Sequence, residues 1–257
     1  MSERRRGKVD SLRETGITFN FYRMDKFIYT KDNPLRVFTA FSGYDSQCMA
    51  LDRIGIPYEL VGWSEIDKYA IQAHNAVYPQ YADRNYGDIS KIDWEKVPDF
   101  DLFTYSFPCT DISNAGVQKG LEEGSGTRSS LLWECKKTIE VKRPKYLLME
   151  NVKALVSQKF LPFYKKWEQW LAEMGYDNHC KVMNAKDYGV PQNRERIFIV
   201  SILGEQSFRF PNPIPLERRL KDVLEDKVAE KYYLSETAVE GFMRHNENHE
   251  AKGTGFI

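Results

Sequence analysis

Apolar residues fall in short runs separated by stretches with helical spacing, and the two alternate along most of the chain. Leu35–Phe41 (LRVFTAF) is β-branched and aromatic, stops at Ser42-Gly43, and passes into a helical pattern over Ser46–Ile54. Tyr58–Ser64 reads as a second strand and Asp67 to about Val77 as a second helix. Strand, tight turn, helix, strand is the unit that opens a doubly wound sheet. The pattern continues with a short buried strand at Asp101–Ser106, a Gly-rich polar stretch to Arg128, a helix from about Ser129 to Val141 and a strand at Tyr146–Met149. A helix from about Leu161 to Met174 and strands near Cys180–Met183 and Arg196–Ile202 complete it. At least six strands with interleaved helices predict an α/β fold, a three-layer sandwich around a mostly parallel sheet.

The pattern divides the chain into three parts. Residues 1–34 form an amino-terminal extension that starts with Arg4, Arg5 and Arg6 and then turns aromatic, with Phe19, Phe21, Tyr22, Phe27 and Tyr29. Residues 35–204 form the α/β domain. Residues 205–257 open on Pro211, Pro213 and Pro215, continue through two charged helical stretches at Leu216–Glu225 and Ser235–His245, and end on an apolar Phe256-Ile257. They are expected to be a linker and the start of an incomplete carboxyl-terminal region.

Composition narrows the class. The chain has 257 residues, 42% hydrophobic and 14% aromatic, and its 37 basic residues balance 37 acidic ones. That balance argues against a polycation but leaves room for a local basic surface on nucleic acid. No run reaches the roughly 18 apolar residues of a membrane span, and the start MSERRRGKVD lacks the apolar core of a signal peptide, so a cytoplasmic location is expected. Cys48, Cys109, Cys135 and Cys180 are far apart, with no Cys-x-x-Cys pair, so neither a disulfide framework nor a metal site is expected. His245 and His249 share a helical spacing without a third ligand and read as a solvated helix end.

Candidate chemistry gathers where the predicted strands end. Phe107-Pro108-Cys109 breaks the strand at Asp101–Ser106, and proline fixes the backbone just before the thiol. Ligands of open α/β sheets sit at that edge, so a thiol there suits nucleophilic chemistry as well as packing. Phe41-Ser42-Gly43-Tyr44-Asp45-Ser46 joins a strand to a helix, where glycine lets backbone approach a ligand and the helix offers free N–H groups. Glu65 and Asp67 follow the next strand, suited to ribose hydroxyls, and Gly87-Asp88-Ile89 places another carboxylate in a turn, suited to an adenine amino group. Asp67 and Asp88 read equally well as caps. Glu150-Asn151-Val152 ends the Tyr146–Met149 strand, bringing a candidate proton donor to the same edge as Cys109. In Gln192-Asn193-Arg194-Glu195-Arg196 the two arginines fall on one side at the two-residue period, a pairing suited to a phosphate or base carbonyl, or to a salt-bridged strand edge.

Taken together, FSGYDS, Glu65 and Asp67, GDI, FPCTDIS, ENV and NAKDYGVPQNRERIFIV stand in the order and spacing of the cytosine-5 DNA methyltransferase family, which the chain resembles over residues 35–203. The resemblance implies a Rossmann-like S-adenosylmethionine-dependent methyltransferase acting on a cytosine flipped out of double-stranded DNA, with S-adenosylhomocysteine as product. It implies that the Cys109 thiolate adds to cytosine C6, that Glu150 acts at N3, and that Arg194 and Arg196 hold the base and its phosphate. Asn151 would fix the turn presenting Glu150, and Asn151 and Gln192 are placed on the substrate side. Cofactor contacts fall on Phe41, Gly43, Tyr44, Asp45, Ser46, Glu65, Ile66, Asp88, Ile89, Pro108 and Leu131. Ser113–Arg128 resembles the family's loop that closes over DNA.

Two departures stand out. Asp45 occupies a position where the family usually carries a second glycine, and is expected to cap the following helix. Arg219–Asp226 resembles the segment that leads to the target-recognition domain, yet neither that domain nor the final Gly-Asn motif follows. The ending fits a truncated chain, one half of a split enzyme awaiting a second polypeptide, or a member with a reduced reader. Alternatives in function are a transfer-RNA cytosine-5 methyltransferase of related sequence and an inactive cofactor- or DNA-binding remnant.

Overall fold

Six β-strands form one sheet in the order β2-β1-β3-β4-β6-β5. The computed structural model describes residues 29–108 and 131–253. Cys109, the Ser113–Arg128 loop, residues 1–28 of the extension and the terminal Phe256-Ile257 lie outside them.

The strands are β1 (Leu35–Ala40), β2 (Tyr58–Ser64), β3 (Leu102–Tyr105), β4 (Tyr146–Val152), β5 (Tyr176–Asn184) and β6 (Glu195–Leu203). β1 pairs parallel to β2 and β3, and β3 parallel to β4. β6 alone runs against the others, antiparallel to both β4 and β5. The helices are α1 (Ser46–Ile54), α2 (Lys68–Val77), α3 (Leu132–Lys142), α4 (Leu161–Glu173) and α5 (Glu236–Glu250).

Strand register decides which face each apolar residue serves. Phe38, Phe103 and Leu147 stand abreast and pack with Trp133 and Ile139 of α3 and Trp167 and Leu171 of α4. Val37, Leu102 and Tyr146 stand abreast on the opposite face, in a cluster with Cys48 and Leu51 of α1 and Leu60 and Trp63 of β2. Because successive strand residues point to opposite faces, one apolar run feeds two helical layers, and the three-layer sandwich follows. Between Val37 and Phe38 the β1–β2 register slips, so that Phe38 pairs with Gly62. A Cβ on Gly62 would lie 2.7 Å from both Phe38 Cε2 and Tyr86 Cε2, so only glycine fits this ring contact.

Three local expectations change. Glu150 and Asn151 belong to β4 rather than following it, because their backbone pairs with Phe198 and Ile197 of β6. β5 extends well beyond Cys180–Met183, its polar Asp177, Asn178 and His179 being held in strand by the ladder to β6. The charged stretch Leu216–Glu225 forms one 3-10 turn, Leu220–Asp222, rather than a helix, since Leu220, Val223 and Leu224 stay exposed among the described residues and give a helix no packed face. Among the described residues no helix is long and apolar enough to cross a membrane.

Candidate active site

β1, β2, β3 and β4 run the same way, so their carboxyl ends share one edge of the sheet. β6 runs the other way and brings its beginning to that edge, where Arg196 pairs with Val152. The end of β5 arrives there as well, with Met183 beside Arg196.

The turn after β1 is left-handed at alternate residues, with φ of 55° at Phe41, 57° at Gly43 and 68° at Asp45. Gly43 donates its N–H to Glu65 Oε2 at 3.0 Å, and nothing among the described residues lies within 4 Å of the position its Cβ would take. That is an open cradle beside a helix amino terminus, the geometry that suits a polar ligand. Tyr44 and Ser46 are exposed around it, whereas Phe41 packs partly on the core. The expected cap does not form: Asp45 sits at the N-cap position of α1 without a side-chain cap bond, because its carboxylate turns inward and is fully buried.

Glu65 Oε1 accepts from the N–H groups of Ile66 at 2.8 Å and Asp67 at 2.9 Å, which aims the carboxylate along the sheet edge next to the 72% exposed Ile66. Asp67 caps α2, accepting from Tyr69 and Ala70 N–H groups, each at 2.9 Å. Asp88 caps the following 3-10 turn through Ser90, whose hydroxyl foremost, and then its amide, holds the Asp88 carboxyl below the usual carboxylate range. Ile89 is buried in the core at 4% exposure, so its backbone rather than its side chain faces the edge.

Asn85 is a residue that motif reading missed. Its Oδ1 accepts from Glu65 N–H at 3.2 Å and Gly87 N–H at 2.9 Å, while its Nδ2 donates to the Glu65 carbonyl at 3.1 Å. One side chain thereby joins the Glu65 turn to the Gly87-Asp88 turn. Ser64 adds a second tie, donating to the Gly87 carbonyl at 2.6 Å. The signal was a lone polar residue two positions before Gly87, which carries no pattern of its own.

On the other half of the edge, Glu150 Oε1 lies 3.1 Å from Arg196 Nε, with both side chains partly exposed. Asn151 is 2% exposed and donates to the Phe107 carbonyl at 3.0 Å, so it holds the turn that ends at Pro108. Arg194 and Gln192 are exposed. Asn184, which opens the NAKDYG motif but to which motif reading assigns no role of its own, accepts from Arg194 N–H at 3.0 Å and donates to Asn193 Oδ1 at 2.7 Å, which shapes the approach to β6. Leu131 precedes α3 and packs partly on the core. The described thiols are poorly suited to ionise. Burial first of all pushes Cys48 and Cys135 far above the ordinary thiol value, and burial also raises Cys180.

An open glycine cradle, a carboxylate at the end of β2, a second at the Gly87-Asp88 turn that Asn85 ties to it, and the exposed Ile66 fit an adenosine-containing cofactor. A carboxylate–guanidinium pair beside the Phe107-Pro108 turn fits a polar heterocycle. Among the described residues no group of three or more His, Cys, Asp or Glu side chains could hold a metal ion.

Comparisons with known proteins bear on the whole arrangement. A family model described as C-5 cytosine-specific DNA methylase matches residues 35–257. The chain is 41% identical over 257 residues to the Type II methyltransferase M2.ScrFI of Lactococcus lactis subsp. cremoris, across 80% of this chain and 71% of that protein. It is 37% identical over 233 residues to the Orphan methyltransferase M.SPRI of Bacillus phage SPR, across 79% of this chain and 52% of that protein. Several further relatives are likewise matched over about half of their length. Among solved structures, the S. pombe Dnmt2 methyltransferase is similar with a TM-score of 0.63 at 19% identity, over 82% of this chain and 66% of that one. The Entamoeba histolytica methyltransferase EhMeth gives 0.66 at 19%, over 80% and 64%. At that identity the likeness is one of fold alone, an α/β fold around one mostly parallel sheet.

Proposed function

The chain belongs to the C-5 cytosine-specific DNA methylase family, and from that premise we propose that it methylates C5 of a cytosine turned out of duplex DNA. S-adenosylmethionine, when bound, supplies an electrophilic methyl group on its sulfonium. Phe41, Gly43, Tyr44 and Ser46, with the backbone of Asp45, would hold it at the first turn, Glu65 and Ile66 at the ribose, and Asp88 with the backbone of Ile89 at the adenine. Pro108 and Leu131 close the pocket.

Cytosine C5 is a weak nucleophile, and the protein's part is to change that. The Cys109 thiolate forms a bond to C6, the C5–C6 double-bond pair leaves C5 enamine-like, and Glu150 in its protonated form shares its proton with N3 and takes it back when the ring is restored. Arg196 holds Glu150 and, with Arg194, the base and its phosphate, while Gln192 stands at the DNA side. Asn151 keeps the Phe107-Pro108 turn in register with β4. Once C5 carries the methyl group, loss of its proton to solvent lets the Cys109 sulfur depart with its electron pair and the aromatic ring is restored.

The observation that carries this reading is the convergence of Glu150, Arg196 and the Phe107-Pro108 turn at the edge that also bears the glycine cradle. The test offers the chain S-adenosylmethionine and duplex DNA containing 5-fluorocytosine, whose C5 cannot lose a proton. A covalent adduct on a denaturing gel that vanishes in Cys109→Ser is expected. A folded chain that forms no adduct, or a Cys109→Ser form that still does, overturns the assignment. Methyl transfer to RNA with none to DNA would point to the transfer-RNA alternative.

A further inference from the structure

Beneath the first turn lie a buried carboxyl group and a buried imidazole that the reaction does not use. Asp45 and His74 are both 0% exposed, with His74 Nε2 at 3.5 Å from Asp45 Oδ2. Thr39 of β1 donates its hydroxyl to the same oxygen at 2.9 Å. The imidazole of His74 stacks on Trp63 of β2 with ring centroids 3.7 Å apart, and its Nδ1 is 3.4 Å from Asn75 Oδ1. Asp45 is therefore hydrogen-bonded to β1 and faces α2 from the inside of the fold, where His74 Nε2 and Asp45 Oδ1 have no other hydrogen-bond partner among the described residues.

Backbone geometry gives this tie a purpose. Asp45 holds a φ of 68°, in the left-handed region that glycine takes without cost and other residues take only when their surroundings impose it. Its carboxylate makes no cap bond to α1, so local capping does not explain the conformation. A buried carboxylate is costly unless it is partnered, and a polar anchor at 0% exposure restricts the side chain to one position. The backbone of Asp45 must then follow, and its N–H closes the turn onto the Ser42 carbonyl at 2.8 Å.

We propose that His74 is a positioning residue for methyl-donor binding: by anchoring the buried carboxylate of Asp45 it holds the Phe41–Ser46 turn left-handed and open. This rests on the reading that the turn receives S-adenosylmethionine. His74 touches no ligand, and acts only through Asp45. It follows that His74 matters for cofactor binding only while residue 45 is an aspartate, since glycine needs no anchor to stay left-handed.

A double-mutant cycle tests this on the 257-residue chain. S-adenosylmethionine affinity is measured by calorimetry, and deuterium uptake over residues 41–47 is followed without cofactor, for the parent, His74→Phe, His74→Gln, Asp45→Gly and the double substitution. Phenylalanine keeps the stacking on Trp63 and removes both nitrogens, whereas the glutamine amide reaches the Nε2 position. His74→Phe is expected to weaken binding about tenfold and to speed exchange over 41–47, with His74→Gln restoring affinity to within about threefold. In the Asp45→Gly background the same His74→Phe change is expected to cost less than about twofold. An equal loss in both backgrounds, or unchanged exchange over 41–47 in His74→Phe, overturns the proposal. If His74→Phe does not fold, His74→Asn, whose amide reaches the Nδ1 position, replaces it with the same expectation. A folded parent that binds no S-adenosylmethionine would refute the cofactor assignment, and the exchange comparison would still decide whether His74 holds the turn.

Discussion

The side-chain amide of Asn151 donates to the Phe107 carbonyl at 3.0 Å, across the boundary between β4 and the turn that follows β3. One buried bond thus connects the strand that carries Glu150 to the segment that leads into Cys109. Asn151→Ala leaves the Phe107 carbonyl without that donor in a buried place, which costs about 1–3 kcal/mol. Urea denaturation is expected to show that loss, and adduct formation with 5-fluorocytosine DNA is expected to fall by more than S-adenosylmethionine affinity does.

Glu150 and Arg196 meet at 3.1 Å from neighbouring antiparallel strands. Glu150→Gln keeps the shape and removes the acid, so turnover is expected to fall by about 10²–10⁴-fold, as for other general acids. Calorimetry is expected to find cofactor binding unchanged in that variant. A parallel fall in cofactor affinity would move Glu150 out of the base-activating role.

Asn85 makes three hydrogen bonds to the backbone of residues 65 and 87. Asn85→Asp keeps the acceptor that both N–H groups use and loses the donor to the Glu65 carbonyl, whereas Asn85→Ala loses all three. The expected order of S-adenosylmethionine affinity is parent, then Asp, then Ala. Equal affinity in all three would separate Asn85 from the nucleotide-binding turns.

Gly62 sits where a Cβ would strike Phe38 and Tyr86 at 2.7 Å. Gly62→Ala forces these rings apart, an overpacking cost of about 1–3 kcal/mol. The thermal midpoint is expected to drop while the affinity of the folded fraction for cofactor holds. An unchanged midpoint would mean that the rings move freely.

Asp88 is held below the usual carboxylate range chiefly by the Ser90 hydroxyl. A depressed folded value means that the stability contributed by this ionised group is complete above the ordinary carboxylate value and is lost as the pH falls through the lower folded one. The stability difference between the parent and Asp88→Asn is therefore expected to stay level at neutral pH and to close only in acid, below the usual carboxylate range. A difference that closes already near neutrality would contradict this.

The α/β alternation, all six strands and the family motifs were legible because each rests on local chemistry. An apolar run such as Leu102–Tyr105 with all four residues buried has few other places to go, and Pro108 breaks a strand wherever it stands. The expected helix at Leu216–Glu225 failed for the opposite reason: its spacing was helical, but Leu220, Val223 and Leu224 stay exposed among the described residues. Asp45 was read as a cap because aspartate before a helix usually is one.

What the amino-acid order determined by itself is therefore the set of strand ends and the chemical groups placed on them, since both follow from periodicity, turn residues and motif spacing. What only the tertiary structure decided is which of these groups meet. The antiparallel run of β6 is invisible in its own sequence, yet it alone brings Arg196 to Glu150, because a parallel strand would have carried the residues at its start to the opposite edge. The inward turn of Asp45 likewise meets Thr39 and His74, six and twenty-nine positions away, which β1 and α2 bring beneath it.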